Sequence, residues 1–537
     1  MSDTTYGVSA VTIVIVATVL IGTFALRLSR TTSDFYVASR SVSPVWNASA
    51  IGGEYLSAAS FLGIAGLILA YGADMLWFPV GYTAGYLVLL VLVAAPLRRS
   101  GAYTLPDFAE ARTESRTVRR FATILVVTIG WLYLLPQFVG AGLTVTLVTG
   151  APGWVGGLLV AVVVVFSVAT GGMRSITFVQ AFQYWLKLTA LAVPVLFLVL
   201  AWQADGAPTP GPGPATFAAT TTVQLSRDAS FVVREPVRVR VDGSLALSTA
   251  ATAPSYDGER LTLTTGTWRA AGRTTVTFPA GAAVPHATSL APSEGLDWSR
   301  PLSGSGRRDH PLYATYSLIL ALFFGTMGLP HVLVRFYTNP DGRAARRTTL
   351  VVLALLGVFY LLPPIYAALG RAYGADADDT VVLELPRLML DGFGGDLLTG
   401  LVTAGAFAAF LSTSSGLAIA VSGVLAQDVL RDRYSGVTAF RLGATVAVGV
   451  PLAAAVLAPD LSVARAVGLA FAVAASTFCP LLVLGIWWRG LTPAGAVAGL
   501  VTGGLGAGAG VAWTLYDGAP ESWSDVLLGQ PAAWSVP

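Results

Sequence analysis

Two apolar segments of this sequence are interrupted by glycine and polar residues, and such interruptions are where an apolar helix can bind a ligand. Residues 47–63 read NASAIGGEYLSAASFLG, and residues 323–336 read FFGTMGLPHVLVRF. A helix that breaks inside a membrane leaves backbone N–H and C=O groups in need of partners. Those groups can bind an anion and a cation, respectively. One break alone is equally well a packing kink, but two breaks at this spacing favour a transport site.

Residues 404–423, AGAFAAFLSTSSGLAIAVSG, contain four consecutive hydroxyl side chains, from Ser412 to Ser415, in an apolar run. A hard cation such as sodium binds oxygen atoms, and hydroxyls together with backbone carbonyls supply them without adding fixed charge. Serine and threonine also let membrane helices pack closely. From this run alone, helix packing is the favoured interpretation and ion binding is the alternative.

Glu54 and Lys187 are ionisable residues in apolar stretches, and because charge is costly at membrane depth such residues indicate a function. We predict an ion pair or an indirect link between them that steadies the first interrupted segment. The alternative is that Lys187 extends toward the membrane surface and Glu54 caps a half-helix. His331 follows the second interruption, where we expect a structural hydrogen bond rather than a proton relay. No arginine is expected at mid-membrane depth.

Membrane helices must position these residues. Of the 537 residues, 54% are hydrophobic and 11% are charged, whereas about 25% of an ordinary soluble domain is charged. Apolar runs long enough to span roughly 30 Å of hydrocarbon recur along the chain. We predict an all-α polytopic membrane protein. Its twelve spans lie at about 8–27, 46–71, 75–97, 119–148, 152–169, 175–202, 312–335, 349–371, 397–427, 438–458, 462–488 and 491–516.

Arginines are concentrated in the loops that follow the odd-numbered spans. The positive-inside bias therefore places these loops, including Arg335, in the cytoplasm and the N-terminus outside. Four regions follow from the span assignment. They are 1–203 with spans one to six, 204–310 as an insertion, 311–516 with spans seven to twelve, and 517–537 as an outer tail. The tail resembles the start of a further span, so we expect a thirteenth helix to be missing from this chain.

The insertion has a composition of its own. It opens with a proline- and glycine-rich linker at 206–214 and continues with alternating apolar and polar residues. The pattern predicts strands, with Asp242 and Gly243 forming a hairpin turn and 261–278 forming another hairpin. We therefore expect a small β-rich extracytoplasmic domain inserted into the helical protein. A functional lid and a loop without a role in transport are equally compatible with this pattern.

The composition and motifs also exclude several classes of protein. A net charge of +3 without a basic block gives no indication of nucleic acid binding. The single cysteine, Cys479, excludes a disulfide framework, and three scattered histidines are too few for a metal site. The sequence has no HExxH, GxSxG or paired-carboxylate pattern, so we predict that the protein is not an enzyme. Membrane lipid and a small solute are the expected partners.

Five segments resemble the sodium:solute symporter family, most closely its cation/acetate, or monocarboxylate, branch. They are FYVASRSVSPVWNASAIGGEYLSAASFLGIAGLI (35–68), LYLLPQFVGAG (132–142), GGMRSITFVQAFQYWLK (171–187), FGTMGLPHVLVRFYTNPDGRAARR (324–347) and FAAFLSTSSGLAIAVSGVLAQDVL (407–430). The resemblance runs in order through the chain and leaves out mainly the insertion. It implies an inverted repeat of five plus five helices of the LeuT type, with one extra helix before the repeat and others after it.

The resemblance also implies a sodium ion as the coupling ion, bound between the second and ninth spans. Its implied ligands are the carbonyls of Gly53, Leu56 and Ala409 and the hydroxyls of Ser412 and Thr413. Because the hydroxyl run coincides with this site, ion binding becomes the favoured interpretation of the run. Relatives that transport sugars or amino acids have an acidic residue where this chain has Gln180. The acetate branch resembles this chain at that position.

A small carboxylate needs hydrogen-bond donors in a confined and mostly apolar pocket. Helix dipoles and the bound cation would balance its charge, which would couple the two ligands. The candidates at the two interruptions and on the fourth span are Tyr55, Ser57, Gln137, Gly325, Thr326 and Gly328. Of these, Tyr55, Gln137 and Thr326 are the leading candidates.

Together these features predict a secondary active symporter that couples inward sodium movement to the uptake of a short monocarboxylate by alternating access. Acetate, propionate and pyruvate are the expected substrates. The alternatives are a symporter of the same fold for another solute or one driven by protons, and a transporter-like sensor ranks lower. One lysine beside 31 arginines suggests a GC-rich bacterial genome, and hence a bacterial plasma membrane.

Overall fold

The protein is represented by a computed structural model, which is mostly helical. The residues that it describes are 2–26, 38–208, 220–224, 229–233, 236–247, 254–271, 274–282, 286–287, 298–299, 310–375, 379–434, 436–457, 463–517 and 523–536. Up to residue 208 the helices are α1 (Ser2–Leu26), α2 (Pro44–Tyr55), α3 (Ile64–Tyr71), α4 (Trp77–Val88), α5 (Ala94–Arg99), α6 (Leu105–Thr113), α7 (Arg116–Thr149) and α8 (Trp154–Ala204). From residue 310 they are α9 (Pro311–Gly328), α10 (Pro330–Val334), α11 (Gly342–Tyr360), α12 (Leu362–Ala372), α13 (Val381–Met389), α14 (Gly392–Val424), α15 (Gly436–Leu457), α16 (Val463–Trp487), α17 (Pro493–Asp517), α18 (Trp523–Gly529) and α19 (Ala532–Ser535).

Ten helical stretches in the described part of the chain are long and apolar enough to cross a membrane, whereas twelve spans were predicted. The difference arises because two stretches, Ala59–Arg99 and Trp154–Ala204, each contain residues of two predicted spans. Both have a glycine with positive φ at the junction, Gly72 at 77° and Gly172 at 58°. Glycine adopts this backbone conformation without steric cost, so the chain turns there with no long loop. The chain is a multi-pass membrane protein.

Both predicted helix breaks are present. Helix α2 ends at Tyr55, and Leu56 leaves helical geometry with ψ of 84° before a π-helical turn at Ala59–Gly63 leads into α3. Helix α9 ends at Gly328, and Leu329 is extended with ψ of 115°. Pro330 then begins α10, where its missing N–H costs nothing because the first turn of a helix leaves that group unpaired.

Helix α14 is the central helix, and its residues from Val402 to Val424 are all buried. It packs most extensively against α8 and also contacts α2 and α7. The glycine-, alanine- and serine-rich sequence of α14 explains this position, because small side chains let neighbouring helix backbones approach closely. The hydroxyl run is therefore held at the centre of the helical bundle, beside the break that follows α2.

Seven strands form an antiparallel sheet between residues 221 and 287 of the described chain. They are β1 (Thr221–Gln224), β2 (Ala229–Val233), β3 (Val237–Leu247), β4 (Ser255–Leu263), β5 (Gly266–Ala270), β6 (Thr275–Phe278) and β7 (His286–Ala287), in the order β1-β6-β3-β5-β2-β7 with β4 paired to β3. The predicted turn at Asp242 and Gly243 is wrong. The strand continues through both residues with a shift of register, and the φ of 119° at Gly243 accommodates that irregularity.

Candidate functional site

The break after α2 exposes backbone carbonyls that two side chains from other helices satisfy. Lys187 Nζ, on α8, donates to Gly53 O, to Leu56 O at 2.7 Å and to Ser412 Oγ at 2.8 Å. Thr413 Oγ1, on α14, donates to Glu54 O at 2.6 Å. Because buried carbonyls without partners are costly in a membrane protein, these two side chains stabilise the unwound segment.

Three of the five predicted sodium ligands contact Lys187, and a fourth, Ala409, is joined to them through Ser412. Nζ contacts Gly53, Leu56 and Ser412, and Ser412 Oγ also donates to Ala409 O at 3.1 Å. The fifth, Thr413, lies beside them and turns its hydroxyl to Glu54 O. These residues do not fit a sodium ion in this arrangement, because the lysine amino group takes the position between the oxygens where an ion would lie.

A second buried network centres on Arg335, which is fully buried at the end of the α9–α10 segment. Its Nε lies 2.7 Å from Glu54 Oε2, and its Nη1 donates to Thr177 Oγ1 at 2.8 Å. Its Nη2 donates to Gln180 Oε1, while Gln180 Nε2 donates to Ser412 O at 2.7 Å. The guanidinium therefore ties the first break to α8 through charge-assisted hydrogen bonds.

The structure distinguishes the two predicted arrangements of Glu54 and Lys187 and corrects one expectation about charge. Glu54 forms its ion pair with Arg335 and not with Lys187. Gln180 and Ser412 provide the indirect link that was the other predicted arrangement. Arg335 is not in a cytoplasmic loop, because it is 0% exposed inside the candidate span Leu312–Thr338. The available signal was its position in VLVRFYT, a run that stays largely apolar on both sides of the arginine.

Three glycines allow this close approach of helices. An ideal Cβ at Gly53 would lie 2.1 Å from Gln180 O, and one at Gly416 would lie 2.1 Å from Glu54 Oε1. At Gly52 the Cβ would lie 2.8 Å from the ring of Tyr184. No side chain can be added at these distances without moving its neighbour. The glycines at the first break therefore serve helix contact as well as helix interruption.

The leading substrate candidates connect the two breaks. Tyr55 OH lies 2.8 Å from Thr326 Oγ1, which joins the end of α2 to the end of α9. Gln137, on α7, accepts a hydrogen bond from Ala58 N at 3.0 Å through Oε1. Gln137 therefore satisfies a backbone donor that the first break leaves free. Ser57 is fully buried in the unwound segment itself.

Gly325 and Gly328 face α16 rather than an open cavity. An ideal Cβ at Gly325 would lie 2.5 Å from Phe471 O, and one at Gly328 would lie 2.3 Å from Ala474 O. Both glycines thus allow α9 and α16 to pack with their backbones close together. Close packing therefore explains why both positions are glycine. The role of their backbones in substrate binding stays a prediction.

Aromatic side chains that sequence reasoning missed surround Tyr55. The ring centroids of Tyr82 and Tyr86, both on α4, lie 5.8 and 4.9 Å from that of Tyr55. The ring centroid of Phe471 lies 4.9 Å from that of Tyr82. In the described part of the chain, the buried hydroxyls of Tyr82 and Tyr86 have no hydrogen-bond partner. Buried polar atoms are nearly always paired, so two free hydroxyls beside the breaks are candidate ligand donors.

His331 is fully buried, and the expected structural hydrogen bond is absent among the described residues. Neither ring nitrogen has a partner there. The imidazole instead packs edge-on against Tyr133, with ring centroids 5.2 Å apart. The sequence could not distinguish these arrangements, because the partner of His331 lies on a helix about 200 residues earlier in the chain.

A family comparison decides what kind of protein carries this site. The model of the sodium:solute symporter family matches residues 35–237 and 282–503, well over half of the chain. The chain belongs to this family. The resemblance predicted from the sequence is therefore confirmed, and sodium:solute symporters are transporters rather than enzymes.

Two similar proteins come from bacteria. An uncharacterized symporter of Bacillus subtilis, YwcA, is 30% identical, with 96% of this chain and 87% of the relative covered. A monocarboxylic acid transporter of Corynebacterium glutamicum is also 30% identical, with 93% of this chain and 82% of the relative covered. Both matches extend over most of this chain and most of the relative.

The fold is shared with a solved Na⁺-coupled sialic acid symporter in a substrate-bound, outward-open state. The TM-score is 0.62 at 14% sequence identity, and the match covers 99% of this chain and 96% of that one. The helical part of the predicted fold, that of a LeuT-type sodium symporter, is thereby confirmed. The β-rich insertion as a separate outer domain remains a prediction.

Proposed function

We propose that this sodium:solute symporter takes up a short monocarboxylate, such as acetate, propionate or pyruvate, together with a cation by alternating access. The observation that carries the proposal is the buried charge at the first break. Arg335 and Glu54 form a neutral pair. Lys187 Nζ has three hydrogen-bond acceptors and contacts no carboxylate among the described residues. With Lys187 protonated, these three groups carry one net positive charge, which favours binding of a monoanion nearby.

Hydrogen-bond donors near this charge suit a small carboxylate. Leu56, whose carbonyl accepts from Lys187, lies directly between Tyr55 and Ser57. The free hydroxyls of Tyr82 and Tyr86 belong to rings that pack on Tyr55. Rings packed this closely on Tyr55 favour a short carboxylate over a large one. The name of the Corynebacterium glutamicum relative, a monocarboxylic acid transporter, supports the same substrate class.

Family membership supports sodium as the coupling cation. In this first candidate the cation-site residues are Gly53, Leu56, Ala409, Ser412 and Thr413, and the Lys187 ammonium has to leave their oxygens before sodium binds. The position of Lys187 favours a second candidate, in which uptake is not driven by sodium at these oxygens. In both candidates the protein lies in a bacterial plasma membrane with its N-terminus outside.

Uptake of labelled acetate into proteoliposomes tests the proposed substrate class. Unlabelled propionate and pyruvate should compete with acetate, whereas acetamide, which has nearly the same shape but no charge, should not. Competition by acetamide as strong as that by propionate would contradict the electrostatic argument. Uptake no faster than in protein-free liposomes would contradict the substrate assignment itself.

A tyrosine variant tests the proposed donors. We expect Tyr86→Phe to raise the KM for acetate roughly 10- to 150-fold, because a hydrogen bond to a charged group contributes about 1.5–3 kcal/mol. Stability should not fall, since the Tyr86 hydroxyl has no partner within the described residues. Tyr316→Phe, at a residue that is 62% exposed on α9, is the matched control. An unchanged KM in Tyr86→Phe would remove this residue from the site.

A further inference from the structure

The cation at the break after α2 is part of the protein. We propose that the ammonium group of Lys187 takes the place of a bound sodium ion there, so that these oxygens do not bind Na⁺ in this transporter. The inference deepens the proposed function and rests on it only in assigning the cluster to the transport site. The cluster is defined as Gly53 O, Leu56 O, Ser412 Oγ and Nζ of Lys187.

The hydrogen-bond geometry is complete with Lys187 as the cation. A lysine ammonium has three N–H donors and no acceptor, and Nζ has three acceptors in the cluster. Two of them are carbonyls that the helix break has freed. The third, Ser412 Oγ, gives its own hydrogen to Ala409 O, so its lone pairs are available to Nζ.

A second cation at the cluster would have to share its oxygens with the ammonium. Thr413, the remaining hydroxyl of the predicted ion site, donates to Glu54 O at 2.6 Å and keeps its lone pairs. Lys187 and Ser412 are each 0% exposed, so their contacts are not shared with solvent. A sodium ion could enter only if the ammonium left, and an ion bound beside the ammonium would meet a like charge at low dielectric.

Lys187 is the one lysine that can supply this ammonium group, and it reaches the cluster from a helix other than those that carry the oxygens. Lys187 is the only lysine in the chain. Its stem comes from α8, whereas the oxygens come from the break after α2 and from α14, so it joins three separate helices. An ion exchanges with solution, but a side chain remains tethered. The carbonyls at the break therefore keep their cationic partner at any sodium concentration, because Lys187 is covalently part of α8.

Two binding measurements on the purified protein test the proposal without relying on transport. Equilibrium binding of radiolabelled Na⁺ should be absent from the parent protein or unchanged by Ser412→Ala. Acylation of Lys187 by an amine reagent, followed by mass spectrometry of that peptide, should be equally slow in sodium and in choline buffer. Sodium binding that Ser412→Ala abolishes, or acylation that sodium accelerates, would overturn the proposal.

Removal of the amino group should open the cluster to an ion. In Lys187→Ala we expect saturable sodium binding to appear and to be lost again in Lys187→Ala/Ser412→Ala. A folded Lys187→Ala protein that gains no sodium binding would refute the idea that the lysine stands in for an ion. Where Lys187→Ala does not fold, the measurements on the parent protein and on Ser412→Ala decide alone. Failure of acetate uptake would affect the proposed function and leave these binding results unchanged.

Discussion

Loss of the Arg335 guanidinium should destabilise the protein strongly while it leaves the apolar core intact. Both members of the Arg335–Glu54 pair are buried, with side chains 1% exposed, and Nε lies 2.7 Å from Oε2. In Arg335→Met the side chain keeps much of its length but loses every donor. The Glu54 carboxylate then remains inside the bundle without its countercharge. Thr177 and Gln180 lose their hydrogen bonds to Arg335 in the same variant.

The expected cost follows from this geometry. Removing one member of a buried ion pair costs about 3–5 kcal/mol, chiefly because the other charge stays buried without a partner. Arg346→Met is the matched control, since Arg346 is exposed at the start of α11. Exposed substitutions of this kind usually change stability by less than about 0.5 kcal/mol. The double variant Glu54→Gln/Arg335→Met should be more stable than Arg335→Met, because it no longer buries a lone charge.

The single cysteine provides the assay. Cys479 is the only cysteine in the chain and is buried in α16, so a thiol-reactive fluorophore labels it only when the bundle opens. Denaturant titration in detergent, followed by this labelling, gives the free energy of unfolding for each variant. The reasoning would be refuted if Arg335→Met stayed within about 1 kcal/mol of the Arg346→Met control. It would also be refuted if the double variant were less stable than Arg335→Met.

The same labelling assay checks two further substitutions. Gly416→Ala should cost about 1–3 kcal/mol or more, because its Cβ would lie 2.1 Å from Glu54 Oε1. Gly449→Ala, where a Cβ meets nothing within 4 Å, should be neutral or stabilising, and equal effects would contradict the contact. Gln137→Met should cost about 1–3 kcal/mol, because Ala58 N loses its acceptor. An unchanged Gln137→Met protein would show that another group satisfies this N–H.

The helix breaks could be predicted from the sequence because their causes are local. Glycine and polar residues interrupt the helix that ends at Tyr55, and Pro330 restarts the helix after Gly328. The hydroxyl run on α14 was recognisable as a group of oxygens, but from composition alone helix packing was its favoured interpretation. Local composition therefore identified the breaks, whereas the family resemblance placed the run beside the first break and supplied the carbonyls expected there.

The pairing of charges could not be predicted, because it depends on how distant helices face one another. Lys187 lies 131 residues from Leu56 and 225 residues from Ser412, and Arg335 lies 281 residues from Glu54. Arginine counts in loops gave Arg335 a cytoplasmic position, whereas its buried partner determines where it lies. The free hydroxyls of the α4 tyrosines were missed for the same reason, since only packing reveals that a hydroxyl lacks a partner.

Accumulation of labelled acetate in proteoliposomes tests the central claim most directly. An inward gradient of sodium or of protons is imposed across the vesicle membrane, and internal acetate is followed with time. Secondary active symport predicts that acetate rises transiently above its external concentration, and above the level in protein-free liposomes under the same gradient, and falls back when an ionophore collapses that gradient. Acetate that never exceeds its equilibrium level under either gradient would contradict cation-coupled uptake of a monocarboxylate by this protein.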